Sequence, residues 1–379
     1  MVLRGFVAGD RILQSTDSHA DWCASYGHLG LYKFIAASAI GKQHIKEMTS
    51  RDDAFAIRSS EVWLAIAVSD GAGSRKLSRY GSSYAVDALC EYMLREATGI
   101  DPQAEYKAED TGKSDEKEIQ NTSKPGNTWD NLSHKFIDFF GKITSDNQNE
   151  VCNRQDVSAV IPSFDIPVLN SPSNETTGSY GTMTWQRLSA PSNKIQKDTL
   201  ETIDLATCVR HSFQRTRQGI ELFARNRGLE LRDFHCTLLG LLLNTETGEI
   251  AAGQIGDGLI ASLHPGLGAY PFDAPSPGEV SVTYFLTQED WEKYLAIRVL
   301  SPKEVEGIIT FYIMSDGVAE DCTHPPPKDI LNRWAQDINR EMRKEEPLPQ
   351  RTTKLLRWLA NYEVKGSWDD RTLVVIMRD

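Results

Sequence analysis

The chain of 379 residues is 40% hydrophobic and 25% charged, with 27 Gly and 16 Pro, a composition that supports a sizeable buried core and excludes fibrous or wholly disordered states. Its net charge of −12 leaves no surplus of Lys and Arg for a broad basic face, which sets nucleic acid aside as a partner. No apolar run reaches the length of a membrane span and the opening MVLRGFVAGDRILQ lacks a signal-peptide core, so a cytoplasmic protein with no membrane partner is expected.

Residues 1–30 show weak periodicity, after which YKFIAASAI (32–40), AFAIR (54–58) and VWLAIAVS (62–69) read as strands. A Gly-rich turn leads into an amphipathic helix over 76–96, with Ala85, Leu89, Tyr92 and Met93 at helical spacing. A second long helix is expected over 201–228. Between them, 99–197 is polar and rich in Ser, Thr, Asn, Gln, Gly and Pro, and is expected to be a partly ordered insertion into a single domain spanning 1–379. Within it, 129–143 could form a short helix and 159–169 an apolar strap.

Beyond the second helix, 234–244, 249–256 and 259–265 read as an antiparallel meander, and VTYFLT (282–287) as a further strand. QEDWEKYLAIRVL (288–300) reads as helical and ITFYIMS (309–315) as a strand. Helices over 329–343 and 354–363 precede a closing strand, RTLVVIM (371–377). Strands and helices come in blocks rather than in alternation, which predicts an α+β fold of antiparallel sheets covered by helices. The six cysteines are scattered with no CxxC pair, as expected of reduced thiols filling a core.

Three apolar strands end in Asp-Gly: Asp70-Gly71, Asp257-Gly258 and Asp316-Gly317. Asp-Gly is a favoured hairpin turn, a sufficient reading for Asp257 between two strands. It suits Asp70 and Asp316 less well, because neither leads back along a hairpin. Carboxylates on strand ends, with Gly permitting close backbone approach, are what a hard divalent cation needs. Two further acidic pairs, Asp52-Asp53 and Asp369-Asp370, immediately precede apolar strands. An all-oxygen donor set selects Mg²⁺ or Mn²⁺ over zinc or copper. The histidines form no ligand-like cluster; His44, His235 and His264 lie near strand ends and read as structural.

The motifs QHIKEMTSRDDAF (43–55), AVSDGAGSRKLSRYGSSYAV (67–86), CTLLGLLL (236–243), GQIGDGLIASL (253–263), TYFLTQEDW (283–291), FYIMSDGVAED (311–321) and GSWDDRTLVVIM (366–377) stand in an order that resembles the protein phosphatase 2C family of metal-dependent Ser/Thr phosphatases, in its bacterial-type branch. The resemblance implies two stacked antiparallel sheets flanked by helix pairs and a centre of two Mg²⁺ or Mn²⁺ ions, with a third held more weakly. By that resemblance Asp70 would bridge two ions and Gly71 would lend a carbonyl. Asp316 and Asp369 would complete one shell, and Asp53, or Asp53 with Asp52, would serve the other. Asp257 matches the residue associated with the third ion, and Ser69 and Ser315 read as turn residues. Asp70, Asp316 and Asp369 are thus the residues on which catalysis is expected to depend.

Two positions depart from the family pattern. Ala72 stands where many members have a proposed general-acid His, and Met48 where many have a phosphate-gripping Arg; Lys46 or Arg51 could substitute for the latter. The resemblance implies hydrolysis of phosphoserine and phosphothreonine by activated water, on a phosphorylated protein substrate supplied by a cognate Ser/Thr kinase. The two departures and the insertion also admit a pseudophosphatase that binds phosphoproteins with little turnover.

Overall fold

The computed structural model describes residues 20–99, 204–272, 283–323, 329–361 and 368–379. Most of the 99–197 interval, including the expected helix over 129–143 and the strap over 159–169, lies outside the described residues.

Eleven described strands form two antiparallel sheets. The first contains β1 (Trp22–Leu29), β2 (Tyr32–Ala39), β7 (Leu259–His264), β8 (Gly268–Pro271), β10 (Thr310–Met314) and β11 (Arg371–Arg378), in the order β1-β2-β11-β10-β7-β8. The second contains β3 (Ala54–Ser60), β4 (Trp63–Ser69), β5 (Leu238–Asn244), β6 (Ile250–Ile255) and β9 (Ala296–Leu300), in sequence order. Helix α1 (Lys42–Glu47) follows β2. Helices α2 (Ser78–Thr98) and α3 (Leu205–Arg227) cover the second sheet, each closed by a glycine in the left-handed region, Gly99 and Gly228. A single turn, α4 (Pro302–Val305), follows β9; α5 (Asp316–Thr323), α6 (Asp329–Met342) and α7 (Leu348–Asn361) lie on the first sheet.

Both faces of each sheet are covered, which is why the central strands are apolar throughout rather than alternating. Period-two geometry sorts their residues. In β4, Leu64, Ile66 and Val68 enter the core between the sheets, while Trp63, Ala65 and Ala67 face α2 and α3. In β11, Val374 and Ile376 point between the sheets and Leu373, Val375 and Met377 toward the helices of the other side. The result is the expected α+β sandwich. Cys90, Cys208, Cys236 and Cys322 are buried, and burial pushes the Cys208 and Cys236 thiols up to about 12, consistent with protonated core filler.

Several elements differ from the sequence reading. The segment over residues 1–30 contains β1, paired along its whole length with β2. The expected meander is broken, since β6 pairs with β5 and β9 whereas β7 crosses to the other sheet and pairs with β10 and β8. The crossover turns at Gly256, whose φ is 114°. Residues 283–287 form no strand: Tyr284 stacks on Tyr294 at 3.6 Å, and Leu286 is buried with its N–H on the Cys236 carbonyl. The helical reading of 288–300 holds for one 3₁₀ turn, Trp291–Tyr294, after which edge pairing with β6 draws Ala296–Leu300 into a strand. His44 lies in α1 rather than at a strand end.

Candidate metal centre

Strand register carries the sequence-predicted carboxylates to one end of the sandwich. Ala54 pairs with Ser69, placing Asp53 and Asp70 side by side where β3 begins and β4 ends. Met314 pairs with both Leu373 and Leu259, so Asp316, the Asp369-Asp370 pair and Asp257 meet at the same edge of the first sheet. Burial raises the Asp70 carboxyl well above the usual range, and the charges of Asp316, Asp53, Asp369 and Asp257 add to the rise. Asp316 is likewise raised, first by burial and then by Asp369, Asp257 and Asp53. Five acidic side chains from distant parts of the chain are therefore electrostatic neighbours.

The glycine of each Asp-Gly step explains why these are not simple hairpin turns. None of the three has positive φ, as a type I′ turn would demand. Each permits a close backbone approach instead. A Cβ at Gly71 would stand 2.8 Å from the Ser78 carbonyl carbon, and one at Gly258 would stand 2.7 Å from the Met314 oxygen. One at Gly317 would collide with the Asp370 carbonyl.

The individual carboxylates are held firmly. The Asp70 main chain donates its N–H to Thr237 Oγ1 at 2.9 Å, and its carbonyl accepts from Thr237 N at 2.8 Å. Asp257 Oδ2 accepts from the Thr283 hydroxyl. Asp316 Oδ1 accepts from Gly317 N at 2.7 Å, and Asp369 Oδ1 from Asp370 N at 2.8 Å. Asp369 lies at the solvent-facing mouth, yet its carboxyl is shielded enough to be raised, with Asp370 adding to the effect. Asp53 is fully buried and pushed up to about 7, by burial and then by Asp370; Asp52 is pushed up to about 6, again mainly by burial.

Among the described residues, two buried oxygens of this cluster, Asp53 Oδ1 and Asp257 Oδ1, have no hydrogen-bond partner. Orphaned acceptors in an all-oxygen cluster fit a hard divalent cation. Among the described residues, no group of three or more His, Cys, Asp or Glu side chains stands close enough together to hold a metal ion as the side chains now lie.

Other expectations land elsewhere. Arg51 is buried, its Nε on the Ala20 carbonyl at 3.2 Å and its Nη1 on Cys23 Sγ at 3.1 Å, so it braces the approach to β1 rather than offering a phosphate fork. Lys46 is exposed on α1. Beside the acidic residues stand the basic side chains of Arg79, with Nε 4.0 Å from Asp52 Oδ1 and its guanidinium over the Tyr80 ring, and of His44, with Nε2 3.6 Å from Asp370 Oδ2. Ala72 leaves no titratable group at its position, and its N–H is bonded to the His235 carbonyl. The His235 ring stacks on Phe285, shares a hydrogen bond with Thr287, and is lowered in pKa by burial.

Two further residues are not turn residues as expected. The Ser315 hydroxyl donates to Asp53 Oδ2 at 2.7 Å, and the Ser69 hydroxyl to the Thr237 carbonyl. Sequence reasoning named Asp370 only as half of an acidic pair and missed its supporting role: its buried carboxylate accepts N–H groups from Gly41 at 2.6 Å and Asp52 at 2.5 Å. The available signal was position: Asp370 and Thr372 are two residues apart at the start of a strand, and so lie on one side of it.

The protein phosphatase 2C family profile matches residues 40–159 and 180–361, and the chain belongs to that family. No curated protein matches it in sequence. Among solved structures it is similar to RsbX in complex with magnesium, at 10% identity and a TM-score of 0.41, covering 94% of this chain and 100% of that one. It is also similar to the serine/threonine phosphatase of S. agalactiae (11% identity, TM-score 0.45, 92% and 100% covered). A third is Stp1 of Staphylococcus aureus (11% identity, TM-score 0.44, 93% and 96% covered).

Proposed function

Starting from that family membership, we propose that this chain is a Mg²⁺- or Mn²⁺-dependent Ser/Thr protein phosphatase acting on phosphoproteins produced by a cognate kinase. The observation that carries this reading is the convergence of Asp53, Asp70, Asp257, Asp316 and Asp369 at one end of the sandwich, with two buried oxygens unpartnered. Asp53, Asp70, the Gly71 carbonyl, Asp257, Asp316 and Asp369 would be the groups that hold the cations. Bound cations of this kind lower the pKa of water and neutralise phosphoryl oxygens.

The chain's own residues prepare the site. Thr237 fixes the Asp70 backbone from both sides, and Thr283 orients Asp257. Ser69 and Ser315 are buried, so neither hydroxyl is open to a substrate phosphate and no phosphoenzyme is called for. Arg79 stands beside Asp52 and would be available to meet an anionic substrate.

A second reading, a binding module with little turnover, is favoured by Ala72 and by the commitment of Arg51 to Ala20 and Cys23. Hydrolysis of a phosphothreonine peptide in Mn²⁺, and again after EDTA, separates the two. The phosphatase reading expects turnover that disappears on chelation and returns with Mn²⁺. Turnover that survives chelation overturns the metal-dependent mechanism, and Mn²⁺ uptake without turnover selects the binding module.

A further inference from the structure

We propose that the start of β11 carries a two-point grip, formed by Asp370 and Thr372 with help from Ser315, that sets Asp53 in advance with its Oδ1 left open for a divalent cation. The inference rests on the phosphatase reading above and assigns positioning roles within that site.

Asp370 and Thr372 are two residues apart, so they approach Asp53 from the same side of the chain. Asp370 holds the main chain. Its Oδ2 accepts the N–H groups of Asp52 at 2.5 Å and Asp53 at 3.3 Å, and its Oδ1 accepts that of Gly41 at 2.6 Å. With three donors on its two oxygens, Asp370 is a support rather than a ligand. Thr372 holds the side chain, donating from Oγ1 to Asp53 Oδ2 at 2.6 Å.

Proton counting fixes the direction of the surrounding network. Because the Thr372 hydroxyl proton goes to Asp53, the 2.6 Å contact between Ser38 Oγ and Thr372 Oγ1 must be donated by Ser38. On the other arm, Thr372 N donates to Ser315 Oγ at 3.0 Å, and Ser315 donates to Asp53 Oδ2 at 2.7 Å. Both arms end on the same oxygen. Oδ1 receives no hydrogen bond from the described residues, although Asp53 has no exposed surface. A carboxylate buried for stability alone would share its donors between both oxygens, because an unpartnered buried acceptor is costly. The asymmetry points to a missing partner of positive charge, and the grip keeps Oδ1 from rotating away to find another.

The test is calorimetric titration of Mn²⁺ into the EDTA-stripped full chain, comparing the natural protein with Thr372→Val, Thr372→Ser and Ser315→Ala. Loss of a hydrogen bond to a metal-binding carboxylate weakens metal affinity roughly ten- to a hundredfold. Thr372→Val is expected to weaken one Mn²⁺ site by that factor, and Thr372→Ser, which keeps the hydroxyl, to restore it. If Thr372→Val does not fold, Ser315→Ala removes one of the two donors and should shift the same site in the same direction by a smaller factor. Unchanged Mn²⁺ affinity in the folded variants, with only a lower melting temperature, overturns the grip and leaves the phosphatase reading standing. Failure of the natural protein to take up Mn²⁺ overturns both.

Discussion

The two ends of the sandwich solve opposite problems with the same kinds of residue. At one end, the turn between β5 and β6 follows ordinary rules: Asn244 Oδ1 accepts the N–H groups of Glu246 and Thr247, both at 3.0 Å, and Gly248 takes the left-handed conformation with φ at 79°. Thr245 fastens this turn to the neighbouring one through the Val62 carbonyl. At the other end, five carboxylates share a shielded space, and Asp53 and Asp257 each leave an oxygen without a partner. In the β5–β6 turn every N–H from Thr245 to Glu249 finds an acceptor within the chain. The other end, on the reading proposed above, is arranged to receive a divalent cation, and such a local departure from folding logic is where function concentrates.

The largest expected effect comes from removing the central charge. Asp70→Asn preserves size and the backbone bonds to Thr237 but withdraws the carboxylate most surrounded by others. Mn²⁺-dependent hydrolysis should fall by on the order of a thousandfold, the scale of losing a principal charge-stabilising group. The metal-free variant should melt above the natural protein, because a buried like-charge repulsion has gone. A variant that retains activity and melts lower would make the carboxylate end an ordinary packed edge.

A smaller effect should appear in the pH dependence of stability. The Asp52 and Asp53 carboxyls are raised to about 6 and about 7 in the folded chain, so the folded state binds more protons than the unfolded one above the ordinary Asp range. Their contribution is fully present at acid pH and is lost as pH climbs through that window. The melting temperature in EDTA should therefore decline between about pH 5 and pH 8. Mn²⁺ should reverse the decline, more strongly at the alkaline side because its ligands must be deprotonated. At a hundredfold excess over Kd the gain is about 2.7 kcal/mol, several degrees in a melt. A profile that is flat in EDTA, or unmoved by Mn²⁺, counts against a cluster built for a cation.

How much of this was legible in the sequence depended on how local the cause was. The strands ending at Asp70 and Asp316 could be read because a continuous apolar run stops at Ser-Asp-Gly, and both α2 and α3 showed their spacing. The sheet switch after Asp257 could not, because β6 and β7 look alike and only their partners, β9 and β10, differ. β9 was hidden by Trp291 and Tyr294, whose spacing suits a helix while their burial and stacking serve the core. At the site, charged residues announced themselves by type. Their supports did not: Ser315 and Thr372 resemble any hydroxyl residue near a strand end, and their role depends on a partner more than 250 residues away, Asp53. Arg51 shows the converse, a residue of suitable chemistry drawn into structural bonds with Ala20 and Cys23.

The smallest effect tests whether the two ends are independent. Asn244→Ala removes the acceptor for two N–H groups while the main-chain bonds from Asn244 N to Glu249 O and from Gly248 N to Asn244 O remain. The turn should persist with a loss of about 1 kcal/mol, or a few degrees in a melt. Asn244→Asp, which keeps the accepting oxygen, should recover most of the loss. Neither change should move Mn²⁺ affinity, because β5 is anchored along its length by pairing with β4 and β6 and a local turn defect has no means of shifting the opposite edge. If Asn244→Ala weakens Mn²⁺ binding as strongly as a change beside Asp53, the sheets transmit strain from end to end, and the carboxylates owe their placement to the whole strand rather than to the hydroxyls and backbone groups next to them.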